Sequence, residues 1–290
     1  MPRTSGLPRR PYGKAGDRLS IIGFGGIIVM NKEPGEASRI VAEAIERGVN
    51  YFDVAPTYGD AELKLGPALE PYRKSVFLAC KTTQRERGPA GEEFLRSLER
   101  LRTDHFDLYQ LHCLADVAKD VDVALGQGGV MELAIEEKKA GRIRHLGFSA
   151  HTEEAALAAM DLYDFDSVLF PINFACMLTD GFGSRVIAEA QRRGMSILAL
   201  KTLARQTWPE GDPERPRFTR CWYQPCTDRR EAELALRFTL GQPITAAVSP
   251  GEEEMLRLAL DIAPSIRPLA ESELAELRTL AATLKPIFSK

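Results

Sequence analysis

From residue 21 onward the chain alternates short apolar runs with amphipathic stretches, which restricts it to folds whose parallel strands are joined by crossover helices. The runs at 21–25, 50–54, 76–80, 107–111, 145–149, 167–171, 196–200 and 245–248 read as strands. Helical periodicity follows each of them, first at 36–47, where Ile40, Val41, Ala44 and Ile45 share one face and Gly48 stands as a stop signal. The later helices are expected at 61–69, 91–100, 130–140, 153–163, 184–193, 229–240 and 252–262. Eight such units close more naturally into an α/β (β/α)8 barrel of the TIM type than into an open sheet.

Three pieces lie outside the repeat. Before Ile21, the turn residues from Tyr12 through Gly13, Lys14, Ala15 and Gly16 to Asp17 predict an N-terminal hairpin sealing the barrel floor. Residues 202–228, rich in Pro, Arg and aromatics, exceed a routine connection and read as either a functional or a disordered loop. Residues 271–284 carry Leu274, Leu277 and Leu280 at three-residue spacing and predict an extra C-terminal helix. A chain of 290 residues is accounted for by one barrel domain over 1–290, since such barrels occupy about 250 residues.

Composition narrows the partners. With 44% hydrophobic and 27% charged residues the chain is neither disordered nor a membrane protein in character. A formal net charge of −3 offers no basic field for nucleic acid or anionic lipid, which leaves a small molecule as the expected partner. Residues 1–10 lack the apolar run of a secretory signal, and the stretch 21–30 is broken by Gly23, Gly25 and Gly26. Cys80, Cys113, Cys176, Cys221 and Cys226 are odd in number and mostly in apolar surroundings, as expected of reduced thiols in a cytoplasmic protein, monomeric or weakly homo-oligomeric. The C-x4-C spacing of Cys221 and Cys226 is a poor zinc pattern, so no metal is expected.

In a parallel barrel the C-terminal strand ends build the active site. Asp53 closes the second strand, Tyr58 follows in the next turn, Lys81 closes the third strand and His112 the fourth. Singly, each has an ordinary structural reading: a turn cap, a loop aromatic, a solvated amine, a hydrogen-bonded core histidine. Their convergence on one mouth favours chemistry. A phenol is a reluctant acid, with a reference pKa of about 10; a neighbouring ammonium lowers that pKa, and Asp53 would hold Lys81 charged and in place. His112 would then orient a substrate oxygen for protonation.

The segment Phe52-Asp53-Val54-Ala55-x-x-Tyr58-Gly59, continued by Glu62-x-x-Leu65-Gly66-x-Ala68-Leu69, resembles the aldo-keto reductase motif around the catalytic acid and phenol. Lys81 and His112 match the rest of that family's tetrad, and the similarity runs on through residues 128–133 and 139–149, covering roughly residues 10–262. The resemblance implies hydride transfer between NADH or NADPH and an aldehyde or ketone, with Tyr58 as general acid. By that resemblance Ser149 and Asn173 sit where the nicotinamide amide is bound, with a strand-end hydrogen bond as the alternative for each; Gly25 and Gly26 read as close backbone packing or as part of the cofactor floor, and Lys201, Gly251 and Glu253 at the last two strand ends as further candidate cofactor contacts.

Departures from the family pattern stand at Ala150-His151, at Asn173 and at Lys201-Thr202, the last resembling a bacterial subgroup that often carries an iron–sulfur tail. The closely spaced cysteines of such a tail are missing from this sequence. Where many members place a basic residue against the NADPH 2′-phosphate, Glu252, Glu253 and Glu254 stand, and like-charge repulsion would favour NADH. Trp208, Phe218, Trp222 and Tyr223 would either wall a substrate pocket or anchor the long loop. Two other functions compete with a reductase. One is a cofactor-binding redox sensor or regulator with little turnover. The other is a hydrolase or lyase using Asp53 and His112, for which paired carboxylates and a metal cluster are wanting.

Overall fold

The computed structural model describes residues 6–13 and 16–290. Its strands are β1 (Arg9–Tyr12), β2 (Asp17–Ser20), β3 (Ile22–Gly25), β4 (Tyr51–Asp53), β5 (Phe77–Thr82), β6 (Phe106–Leu114), β7 (Ile143–Ala150), β8 (Ser167–Pro171), β9 (Ser196–Leu200), β10 (Ala204–Thr207), β11 (Tyr223–Pro225) and β12 (Ala246–Val248). The helices are α1 (Pro34–Glu46), α2 (Ala61–Leu69), α3 (Arg87–Arg100), α4 (Asp122–Leu125), α5 (Val130–Lys139), α6 (Glu153–Leu162), α7 (Phe174–Asp180), α8 (Ser184–Arg193), α9 (Arg229–Leu240), α10 (Glu253–Ile262) and α11 (Glu271–Ala281). Strands β3 to β9 and β12 pair in parallel and close into a barrel, the (β/α)8 architecture anticipated above. No helix among the described residues is long and apolar enough to cross a membrane.

Alternation along the strands sorts two cores. Tyr51, Phe77, Leu108, Leu169, Leu198 and Ala246 point into the barrel, where Tyr12 and Leu19 from the hairpin join them. Strand residues such as Phe24, Phe52, Leu78 and Tyr109 point outward and pack with the apolar faces of the helices. The hairpin β1–β2 is antiparallel with Tyr12 opposite Asp17; Lys14 and Ala15 of its expected turn lie outside the described residues. Tyr12 is fully buried, and its hydroxyl donates to Ser167 Oγ at 2.9 Å, so the floor is plugged from below by an aromatic ring with its polar tip satisfied.

Several boundaries differ from expectation for identifiable reasons. Helix α3 begins at Arg87 rather than residue 91, because Pro89 falls in the first turn, where its missing N–H has no partner to lose. Helix α7 was not foreseen: Asn173 caps it by accepting from Cys176 N at 2.9 Å, and Gly181 ends it at φ 77°. Residues 202–228 are ordered, with β10 and β11 forming an antiparallel pair. Helix α11 ends at Ala281, three residues early; Glu273 at its start binds the buried Arg237 of α9 through both carboxylate oxygens.

At the barrel floor His145 lies between two carboxylates, its Nε2 2.9 Å from Asp17 Oδ2 and its Nδ1 3.6 Å from Asp166 Oδ1. Burial opposes its charge, but the hydrogen bonds to Asp166 and Asp17 prevail and raise its pKa above the usual histidine value. Both aspartates are held below the usual carboxylate range: burial works against that, and hydrogen bonds from His145 outweigh it, joined by Arg144 at Asp17 and Lys138 at Asp166. The imidazolium's contribution to stability is therefore complete below the unfolded histidine pKa of about 6.5 and is lost as pH rises through the higher folded value. We expect Tm to fall by roughly 2–4 °C between pH 6 and pH 9, and the fall to disappear in His145→Asn, as measured by calorimetry across that range.

Candidate functional site

Strand register assembles the site. Asp53 pairs with Ala79 on β5, while Lys81, two residues further along the same face, pairs with Gln110 on β6. This stagger brings Asp53, Lys81 and Gln110 to one level above the apolar interior. Lys81 Nζ donates to Asp53 Oδ1, with side-chain exposures of only 1% and 2% for the two residues. The other carboxylate oxygen accepts from Gln110 Nε2 at 2.9 Å and from Tyr51 OH at 3.2 Å. Tyr58, on the turn after β4, holds its hydroxyl 3.5 Å from Lys81 Nζ, and its ring stands edge-on to His112 at 5.9 Å between centroids. The four residues expected to carry chemistry thus meet at the mouth. Gln110 and Tyr51 were missed, although each lies two residues before an expected site residue and so on its face.

His112 lies inside β6 rather than after it, at an irregularity where the β6–β7 register shifts between Leu111 and Leu114. Cys113 adopts a left-handed φ of 62°, uncommon for a residue with a side chain. Three contacts hold this kink. Cys113 N donates to Ser149 Oγ at 2.8 Å, and Arg85 Nη2 donates to the carbonyls of His112 at 2.8 Å and Cys113 at 3.3 Å. Arg85 is itself anchored by Asp120 at 3.0 Å. Cys113 Sγ lies 3.1 Å from His151 Nδ1.

Burial, followed by the positive charge of Lys81 and the neighbouring His151, pushes the His112 pKa down to about 2, so its imidazole is neutral in ordinary buffers. His151 is lowered to about 4 by burial and by Lys201, and burial raises the Cys113 thiol. The Cys113–His151 contact therefore joins a neutral thiol and a neutral imidazole. At Lys81, burial works against the charge but Asp53 outweighs it, and the ammonium is held above its usual pKa. Tyr58 corrects an expectation: burial raises its pKa by more than Lys81 lowers it, leaving a phenol that is protonated across the neutral range.

A cavity of about 220 Å³ opens above these groups, lined by Asp53, Tyr58, Lys81 and His112 together with Gly25, Ser149, Lys201 and Gly251. Gly26, Asn173 and Glu253 are not in its wall. A Cβ on Gly26 would lie 2.8 Å from Val54 Cβ, so this glycine serves close packing, whereas Gly25 lines the cavity and donates its N–H to Ser249 Oγ at 3.0 Å. Asn173 is fully buried as the cap of α7. Glu253 is occupied by Arg39 at 2.9 Å and Arg257 at 2.8 Å, Glu252 by Arg220, and Glu254 by Arg217. These pairings offset the acidic run and weaken the repulsion on which the NADH expectation rests.

The loop aromatics divide between the two readings. Trp222 and Tyr223 line the cavity, whereas Trp208 and Phe218 pack on each other at 6.1 Å and the Trp208 indole donates to Cys221 O at 2.9 Å, anchoring the loop. His151, Arg220, Ser249 and Ile27 also line the cavity and were not foreseen. The wall suits a nicotinamide nucleotide. Gly25 and Gly251 present backbone without side chains, the Ser149 oxygen accepts from Cys113 while its O–H has no acceptor among the described residues, and Arg220, paired with Glu252 through Nη1, keeps an Nε–H without a partner among them for phosphate. Among the described residues no cluster of metal ligands occurs.

The profile of the aldo/keto reductase family matches residues 22–281. An uncharacterised oxidoreductase of Bacillus subtilis is 25% identical, over 94% of this chain and 96% of its own. A 6-dehydroglucose reductase of Novosphingobium aromaticivorans is 31% identical, over 67% and 68% of the two chains. Among solved structures, an aldo-keto reductase of Bacillus halodurans in its holo form superposes with a TM-score of 0.75 at 25% identity, covering 96% of this chain and 98% of that one.

The Arg85 contacts give a test of the kink. Arg85→Met leaves two carbonyls without a donor, and we expect a loss of roughly 1–3 kcal/mol, read as a lower urea midpoint at unchanged m-value. An unchanged midpoint would mean that β6 holds its irregular path without the guanidinium.

Proposed function

Since the chain belongs to the aldo/keto reductase family, an oxidoreductase family that uses NAD(P)H, we propose that it reduces aldehydes or ketones to alcohols at the barrel mouth with Tyr58 as proton donor. The observation that carries this reading is the buried Asp53–Lys81 pair beneath the Tyr58 hydroxyl, with His112 beside it in one cavity. When bound, the reduced nicotinamide supplies the hydride to the carbonyl carbon.

Each protein group then has a task its surroundings permit. Neutral His112 and the Tyr58 hydroxyl hold the carbonyl oxygen by hydrogen bonds. As that oxygen gains negative charge, the Tyr58 O–H bond breaks and its proton passes to the oxygen, giving the alcohol. The phenolate left behind faces the Lys81 ammonium, kept charged by Asp53. Gly25, Gly251, Ser149 and Arg220 are the groups suited to holding the cofactor.

A panel of aldehydes and ketones followed by cofactor absorbance, with NADH and NADPH in parallel, tests this directly. We expect Tyr58→Phe to lower kcat by about 10²–10⁴ with cofactor affinity nearly unchanged; wild-type turnover in that variant would sink the mechanism. Lys81→Met should lose activity comparably, and the double variant should be no worse than the poorer single one, since the two act as a unit. The acid must be protonated to work and its pKa is raised. The rate of reduction should therefore be level from pH 6 to 9 and fall only in more alkaline buffer; a limb falling near pH 7 would contradict the assignment.

A further inference from the structure

The cavity holds one cation that the reductase chemistry leaves unpartnered. Lys201 follows β9 with a left-handed φ of 61°, a conformation costly for a residue with a side chain and maintained only where the surroundings demand it. Its ammonium lies 5.0 Å from the centre of the Tyr223 ring and 5.3 Å from that of Trp222. It forms no ion pair within 4.0 Å among the described residues. The other cations of the cavity are matched, Lys81 by Asp53 and Arg220 by Glu252. A partly buried ammonium without a counter-charge is unfavourable, and aromatic faces offset only part of that. Burial accordingly lowers the Lys201 pKa to about 8, which still leaves it mostly charged at neutral pH.

Lys201 follows β9, next to β12 in the barrel, so Ser249 and Gly251 lie on one side of it. Its charge bears on His112, Cys113 and His151, which belong to the ends of β6 and β7. Among these, His112 is one of the two groups that hold the carbonyl oxygen, so the Lys201 charge is felt where the substrate is held. Above it Trp222 is 51% exposed, an apolar surface at the rim open to the body of a ligand.

We infer that Lys201 is a receptor for a carboxylate on the substrate, so that the compound reduced here is an oxo acid, with its carbonyl at Tyr58 and His112 and its carboxylate at Lys201. This rests on the reductase reading and gives to the substrate a residue that family resemblance would set against the cofactor. A carboxylate there supplies the missing counter-charge at a partly buried ammonium, where loss of such a partner discriminates between ligands.

The test compares 3- and 4-formylbenzoate with their methyl esters, which keep the aldehyde and lose the charge. Wild type should prefer the acids in kcat/KM by at least about tenfold. Lys201→Met should bring the acid-to-ester ratio to about one whatever its overall rate, and Lys201→Arg should restore a preference for the acids. Equal use of acid and ester by the wild type overturns the inference while leaving a reductase. A weaker hold on NADPH and NADH in Lys201→Met, with the acid-to-ester ratio intact, overturns it too and returns Lys201 to the cofactor. If no aldehyde is reduced, the reductase reading fails on its own, and calorimetric titration of 4-formylbenzoate into the NADP⁺-saturated protein decides about Lys201. Binding that Lys201→Met abolishes supports the receptor, and absence of binding to the wild type refutes it.

Discussion

An ammonium and a carboxylate placed almost wholly out of water are costly unless neighbours take up their remaining lone pairs and protons, and the Asp53–Lys81 pair finds such neighbours for most of them. One Asp53 oxygen takes Lys81; the other takes Gln110 and Tyr51. Removing one member of such a buried pair typically costs about 3–5 kcal/mol, because the survivor is left charged and alone. The geometry of the mouth follows from keeping both. Tyr58 must sit over the ammonium, His112 must come forward from β6 to face Tyr58, and the irregular path of β6 is what brings it there.

The barrel separates its charges by a layer of apolar side chains. Below lies the His145 cluster with Asp17 and Asp166; above lies Asp53 with Lys81; between them Tyr51, Phe77, Leu108, Leu169 and Leu198 fill the interior. Tyr12, delivered by the hairpin, closes the lower end with a ring rather than a charge. Such a filled interior lets the mouth be polar without becoming wet from beneath, which is why burial so dominates the titration of Tyr58 and His112.

What could be read from the chain alone follows the range of the signals. Strands and helices were legible because their periodicity is local, and Asp53, Tyr58, Lys81 and His112 because each stands at or near the end of an apolar run. Groups that act across the fold left no such trace. Arg85 holds the His112 and Cys113 carbonyls from 27 and 28 residues away in sequence, and an isolated arginine in a loop gives no hint of that. The left-handed backbone at Cys113 was equally hidden, since glycine is the usual marker of that conformation. Asn173 carried a second signal: an Asn before an apolar stretch that ends near Gly181 is also a helix signature, and it starts α7 while its Nδ2 has no partner among the described residues. For Tyr58 the neighbouring cation was visible and the burial was not, which reversed the sign of its shift.

The long connection between β9 and α9 shows how charge pairing converts a loop into a wall. Trp208 and Phe218 fasten its middle, while Arg220 reaches both Glu252 and the Met30 carbonyl, pinning it to the start of α10 and to the turn after β3. Gly251 permits the crossing, because a Cβ there would lie 2.9 Å from both Arg220 Cβ and Ile27 Cγ2. Glu252 and Glu254 are engaged by the loop arginines Arg220 and Arg217 and so help to hold the loop, while Glu253 is engaged by Arg39 and Arg257, and these pairings offset much of the acidic run. Of the cations lining the cavity, Lys201 has no ion-pair partner among the described residues, and the aromatic pair that flanks it comes from the far end of the same fastened loop. A loop fastened by ion pairs and rings holds Trp222 and Tyr223 beside Lys201, and that setting is what the inferred carboxylate of a substrate would complete.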